Sequence, residues 1–249
     1  MKLILTCLVA CLSAVISAQA IDHTHAVLDG VLGKYVKSSG VNYAGLKSDI
    51  APLNTYLDTI AAVSESEFKQ FSREQQMAML INLYNAATLK LVADHYPVKS
   101  IKDIAASSGG PWKQPVVRLL GKNKTLDYLE NEVLRPNYKD PRVHFAINCA
   151  SIGCPSLRNE AFQATKLSAQ LDEQTRLFLK DTTKNRLDAK NKTLYLSSIF
   201  DWFKADFVNK AGSVEKFINP FVAANDRAVI EKGGLTIKNT EYSWNLNQQ

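Results

Sequence analysis

Apolar residues recur at helical spacing through the first half of this chain and fall into short extended runs in the second. Ala26, Leu28, Val31, Leu32, Tyr35 and Val36 predict a helix over 22–37, stopped by the turn Ser38-Ser39-Gly40. Val41 to Leu46 reads as a short extended piece, and Ile50, Leu53, Leu57 and Ile60 predict a second helix over 46–62. The strongest pattern runs from 73 to 95. Ser72 with Gln75 three residues on has the form of a capping box, in which each side chain satisfies a free backbone N–H at the helix start. Met77, Leu80, Ile81, Tyr84, Leu91 and Val92 then share a face, and Pro97 closes the segment.

Beyond this helix the pattern shortens. Pro115 to Leu120 is β-rich and Gly121 to Lys124 reads as a turn; Thr125 is placed to cap a short helix ending before Pro136. Arg142 to Asn148 reads as a strand, and Thr165 as the cap of a helix over 166–180. Arg186 to Ala189 and Thr193 to Leu196 predict a hairpin. Helices over 198–208 and 213–224 and a strand near 235–243 complete the chain. Strands and helices do not alternate in the parallel-sheet manner, so the expected class is α+β: a helical N-terminal half packed on an antiparallel sheet.

The first twenty residues stand apart. Lys2 precedes an apolar run from Leu3 to Ile16, and Ala18-Gln19-Ala20 has the small-x-small form of a signal-peptidase site. The run is shorter than the roughly 20 residues of a membrane span. A cleaved signal peptide over 1–20, a single α+β domain over 21–249 and a periplasmic or secreted location follow as expectations. Leu8-Val9-Ala10-Cys11 has a lipoprotein-box form, but lipidation at Cys11 would leave too short a targeting segment. At 46% hydrophobic residues the remainder can bury a core. The formal charge of +6 is spread among interspersed carboxylates, which argues against a nucleic-acid footprint.

Loss of the leader also removes Cys7 and Cys11, leaving Cys149 and Cys154 as the only cysteines of the mature chain. They lie in the segment from His144 to Pro155, which concentrates a histidine, two thiols and small polar residues. In an oxidising compartment an isolated pair is usually bridged. A thiol catalyst is the alternative, with His144 lowering the pKa of a cysteine and Asn82 or Asn148 orienting the imidazole. A redox-active bridge is a third reading, although the spacing is not Cys-x-x-Cys. On a strand, period-two alternation would turn Cys149 inward with Val143, Phe145 and Ile147, opposite His144, and leave Cys154 freer in the following loop. Zinc held by His144, Cys149 and Cys154 is opposed by that parity and lacks a compact fourth ligand, so neither metal nor cofactor is expected.

Gln76 to Ala86 with Asn82, Tyr84 and Asn85, His95 to Ile104, and the block from His144 to Pro155 with Leu157-Arg158 form a recognisable set, joined by Leu196 to Phe203 and Tyr242-Ser243-Trp244-Asn245-Leu246-Asn247. Together these stretches resemble the domain of unknown function 547 family. The resemblance covers nearly all of the mature chain, and Asn148-Cys149-Ala150-Ser151-Ile152-Gly153-Cys154-Pro155 is its most specific part. It identifies a family without implying an activity. Relatives often carry Glu-His where this chain has Glu130-Asn131, so a role for that histidine does not transfer. Family members among intracellular plant proteins imply that the cysteines are more than an extracytoplasmic staple. A long helix packed on a sheet that carries the histidine also resembles papain and transglutaminase-like folds, whose nucleophile starts the long helix; here that helix offers Asn82 and Asn85 instead.

Candidate residues come from both lines of reasoning. Cys154, Cys149, His144 and Asn82 are the candidate catalytic set of a thiol-dependent hydrolase or acyltransferase. Asn85, Tyr84, Asn148, Ser151, Trp112 and Glu130 are candidate binding residues, with Glu130 and Asp201 as candidate acid/base groups. Asn82 and Asn85 share a helix face, and as buried amides they would also serve to brace the 149–154 loop. His95 reads as a helix-end residue, and His23 and His25 as part of a loose terminus. The competing reading is a non-catalytic module with a structural Cys149–Cys154 bridge, binding an envelope peptide, glycan or small molecule.

Overall fold

The computed structural model describes residues 21–249, so the expected signal peptide and Cys11 lie outside the described residues. Helix α1 (Ala26–Tyr35) starts later than its periodicity suggests, because the Asp22 carboxylate accepts from the N–H groups of Thr24 and Ala26 and holds the preceding turn. A two-residue hairpin, β1 (Val36–Lys37) with β2 (Gly40–Val41), follows. The extended piece expected through Leu46 is instead helix α2 (Tyr43–Ser48), because the Asn42 side chain accepts from Gly45 N–H and caps it. Helix α3 (Ala51–Ala61) is separate from α2, with a proline in its first turn. Helix α4 (Glu65–Gln70), capped by Ser64, is not legible in the periodicity.

Helix α5 (Arg73–His95) is the axis of the molecule. Its capping box is present as the sequence implies, with Ser72 and Gln75 each accepting from the other's backbone N–H. Helices α2 and α3 pack along it, and nearly every residue from Met77 to Ala93 is buried. A helix buried all round carries few polar groups, and each one left unpaired costs stability.

After α5, β3 (Val117–Leu119) and β4 (Lys122–Lys124) form a hairpin whose turn is Leu120-Gly121, both at positive φ. The residues that read as a turn are therefore a strand. Thr125 caps α6 (Leu126–Tyr128) as expected, accepting from Tyr128 N–H. The chain then widens into a π-helical turn over Leu129–Leu134 and continues as α7 (Arg135–Tyr138). Pro136 thus does not end the helix: it sits in the first turn of α7, where a missing N–H is tolerated.

The expected strand over 142–148 is not a strand. Pro141–Phe145 is a 3-10 turn, started by Asp140, whose side chain accepts from Arg142 N–H ahead of a proline-led first turn. Parity has no meaning there, and the accessibility is the reverse of that expected: Cys154 is buried, while Cys149 is partly exposed. Helix α8 (Leu167–Lys180) follows without a cap from Thr165. The hairpin of β5 (Arg186–Asp188) and β6 (Thr193–Leu196) forms as predicted. A break at Phe203 divides the expected 198–208 helix into α9 (Ile199–Trp202) and α10 (Lys204–Ala211). After α11 (Val214–Ile218) and α12 (Ala224–Lys232), β7 (Thr236–Asn239) joins β6 in parallel, making a mixed three-stranded sheet. The class is α+β, with helices dominant and strands in small antiparallel and mixed sheets. No helix among the described residues is long and apolar enough to cross a membrane.

Two hydrophobic cores meet at the 141–145 turn. Val143 and Ala146 belong to the first, built on α1, α3 and α5. Phe145 belongs to the second, where Phe145, Phe178, Phe200, Phe207 and Phe217 pack ring against ring, as between Phe200 and Phe207 at 5.0 Å. Asn85 ties this seam to α5. Its Nδ2 donates to Ala146 C=O at 2.9 Å, and its Oδ1 accepts from Asn148 N–H at 2.9 Å. Asn85→Ala would orphan both buried backbone groups and is expected to lower unfolding free energy by about 2–4 kcal/mol in urea titration. A loss under about 0.5 kcal/mol would mean that the seam does not depend on this clamp.

Candidate functional site

The 146–158 segment is held by side-chain amides rather than by a sheet. Asn148 Nδ2 donates to Pro155 C=O at 2.7 Å, and its Oδ1 accepts from Ala150 N–H at 2.8 Å and from Asn247 Nδ2 at 3.2 Å. This closes a small loop in which Ala150 takes a left-handed conformation, φ 60°. Cys149 and Cys154 are joined across it by a disulfide, with sulfurs 2.03 Å apart. Cys149 N–H points at the Cys154 sulfur at 3.1 Å, and the Tyr242 hydroxyl lies 3.1 Å from each sulfur. One hydroxyl proton can serve only one of them at a time.

Tyr242 is delivered by the C-terminal tail, which runs beside the loop. Gly153 N–H donates to Ser243 C=O at 2.9 Å, Ile152 N–H to Asn245 C=O at 2.8 Å, and Asn247 N–H to Ala150 C=O at 3.0 Å. This close approach requires glycine at 153: a Cβ there would lie 2.8 Å from the Tyr242 ring and 2.9 Å from Ser243 O.

Disulfide, tail and the π-helical turn border an open cavity of about 220 Å³. Aromatic rings form a large part of its wall. Trp202, Tyr242 and Trp244 form a triangle with ring centroids 4.7–5.9 Å apart, and Trp112 meets Trp244 edge to face at 5.7 Å. Asp127 and Glu130 supply the carboxyls, and Tyr84, His144 and the disulfide also line it. Tyr84 O–H donates to Glu130 Oε2 at 3.2 Å. Burial pushes the Glu130 carboxyl up to about 7, further than Tyr84 and Arg135 draw it down.

His144 is positioned from the other side. Its Nε2–H donates to Asp206 Oδ2 at 2.8 Å, and Arg135 Nε donates to the same oxygen at 2.7 Å. Phe203 stacks on the imidazole with ring centroids 4.0 Å apart. Burial lowers the His144 pKa more than Asp206 raises it, so the ring is neutral near pH 7, and its buried Nδ1 has no protein partner. The hydrogen bond from His144, with Arg135 beside it, holds the Asp206 carboxyl well below the usual range. In chemical terms this is an oriented neutral imidazole with a free acceptor nitrogen.

The fold thus brings Cys149, Cys154, His144, Tyr84, Trp112 and Glu130 to one cavity. It keeps Asn82 away. Both ends of that amide are engaged by the Phe162 backbone, at 2.8 and 2.9 Å, so Asn82 does not touch His144. Asn85 and Asn148 brace the loop, and Ser151 faces the tail, its backbone paired with Leu246. Asp201 is exposed, and the carboxylate that reaches the histidine is Asp206. Asp206 and Asp127 carry no local sequence signal. Tyr242 and Trp244 do: residues two apart in an extended tail share a side.

The shifted carboxyl has a consequence for stability. The native protein holds the Glu130 proton more tightly than the unfolded chain, whose value is near 4.5. Stability therefore falls as pH rises from about 4.5 to about 7 and stays lower above. Glu130→Gln mimics the protonated acid, so it should match wild type at pH 4 and exceed it by about 1–3 kcal/mol at pH 8. Thermal unfolding at both pH values checks this; a difference independent of pH would contradict it.

Residues 68–179 match the family described as Protein of unknown function, DUF547. No curated protein and no solved structure matches the chain. The matched segment contains α5, Glu130, His144 and both cysteines, whereas Asp206 and the aromatic wall from Trp202 to Trp244 lie beyond it. On that segment the chain is similar to the DUF547 family, proteins of unknown function.

Proposed function

We propose that this protein is a non-catalytic binding module of the cell envelope, exported by cleavage after Ala20, whose aromatic cavity takes a small ligand or the end of a peptide or glycan. The observation that carries this reading is the cavity itself: three mutually packed aromatic rings beside a carboxyl, walled by a disulfide. Concave, mainly apolar sites with a few polar groups are the usual form of small-molecule sites. The bridge serves as a structural clip, and the neutral His144 forms part of the cavity wall.

The thiol-hydrolase reading finds less support. It needs a free thiolate, and both sulfurs are in the bridge. It also needs an orienting amide, and Asn82 is bonded elsewhere. What orients His144 is Asp206.

The test is the thiol state of protein purified from the periplasm or medium without reductant. Intact mass after alkylation should show a chain beginning at Ile21 with no alkylated cysteine. Two free thiols, one reacting much faster near neutral pH, would sink the binding-module reading and restore the thiol enzyme. The double change Cys149→Ser, Cys154→Ser should cost about 2 kcal/mol of stability from loop-closure entropy alone.

A further inference from the structure

A second cavity, of about 660 Å³, opens beside the Arg135–Asp206 pair. Helix α7 and its end supply Arg135, Pro136 and Lys139, and α10 supplies Asp206, Asn209 and Lys210. Positions three and four apart on a helix share a face, so residues 206, 209 and 210 turn one side of α10 to the cavity. Asn131 lines both this cavity and the aromatic one, and their other walls are separate.

The carboxylates on its wall are already engaged. Asp206 accepts from Arg135 Nε at 2.7 Å and from His144 Nε2 at 2.8 Å. Asp140 accepts from Arg142 Nε at 3.0 Å and from Arg142 Nη2 at 2.6 Å. The cations are not. Among the described residues the ammonium groups of Lys139 and Lys210 have no ion-pair, hydrogen-bond or aromatic partner, and the Asn209 side-chain amide forms no hydrogen bond. Arg135 directs three of its five N–H groups to Asp206 and Asn131, and its guanidinium lies 4.8 Å from the Phe203 ring centre. The guanidinium is thus held in place with two donors to spare.

We propose that this second cavity binds a small organic phosphate, a phosphate monoester, with Lys139 and Lys210 as counter-ions and Arg135 and Asn209 as further donors. A phosphate monoester carries about two negative charges near pH 7 and three strong acceptor oxygens, which answer two free ammonium groups and the spare N–H donors. A single carboxylate would leave one ammonium unanswered. A metal cation is poorly matched, because arginine and histidine already hold both carboxylates. Pro136, Pro141 and Val143 give the carbon part of an ester an apolar wall, and the volume is that of small-molecule sites. The site does not depend on the reading of the aromatic cavity.

The experiment is calorimetric titration of the purified, disulfide-bonded protein at constant ionic strength. Glycerol 3-phosphate is the probe and glycerol its uncharged counterpart. The phosphate is expected to bind saturably with a Kd of about 1 mM or tighter, and glycerol not to bind over the same range. Lys139→Ala and Lys210→Ala should each weaken the phosphate by about fivefold or more, and the double variant should lose measurable binding. Both side chains are exposed and unpartnered, so the Tm of these variants should stay at the wild-type value. Trp202→Ala, in the aromatic cavity, should leave the phosphate affinity unchanged.

A charge-matched control separates this site from general attraction to a basic protein. The double change Lys190→Ala, Lys232→Ala removes two exposed lysines that do not line the cavity and should leave binding intact. An equal loss in that control would overturn the proposal. So would phosphate binding that survives the double change at Lys139 and Lys210, equal binding of glycerol, or no saturable binding of the phosphate at all. The binding-module reading of the aromatic cavity fails separately, on the appearance of a fast-reacting free thiol.

Discussion

Asn85 sits in the middle of a 23-residue helix whose surroundings are almost wholly apolar, and it spends its amide on two backbone groups of another segment. A buried amide without partners costs more than a typical hydrogen bond returns, so the position is tolerable only with Ala146 C=O and Asn148 N–H opposite it. Asn82, three residues earlier, makes the same kind of paired contact to Phe162. Together the two clamps dock the chain on both sides of the cysteine loop onto one rigid helix. The backbone from Ala146 to Asn148, where the cysteine loop begins, inherits its position from that docking.

The rest of the site is built outward from the clamps. Asn148 folds the loop back on itself, the disulfide closes it, and Gly153 leaves room for the tail that carries Tyr242 and Trp244. On the opposite wall, the π-helical turn sets Glu130 against Tyr84. Such a turn gives up regular hydrogen bonding, and π-turns are often found at functional sites. The Arg135–Asp206–His144 chain crosses the seam between the two cores and holds the imidazole in one tautomer.

Legibility tracks the range of the interactions. Helix α5, its capping box, the Thr125 cap and the β5–β6 hairpin rest on contacts within a few residues, and each is readable from spacing alone. The 142–148 segment misleads because Val, His, Phe, Ile and Asn in alternation look like a strand. Asp140 and Pro141 instead start a tight turn, and Asn85 of α5 clamps Ala146 and Asn148 beyond it. The helix over 198–208 reads as longer than it is because nothing local marks the break at Phe203, whose ring turns to stack on His144.

Sequence is sufficient for the α+β class, for the long central helix and for the stretch of chain where a histidine and two cysteines come together. Those depend on composition, periodicity and caps, which act locally. Only tertiary packing selects which sulfur is accessible, makes Asp206 and not an asparagine the partner that orients His144, and returns residues 242–244 to wall a cavity opened by residue 130. These pairings join segments far apart along the chain, and their partners are selected by the packing of two cores and not by any spacing in the sequence.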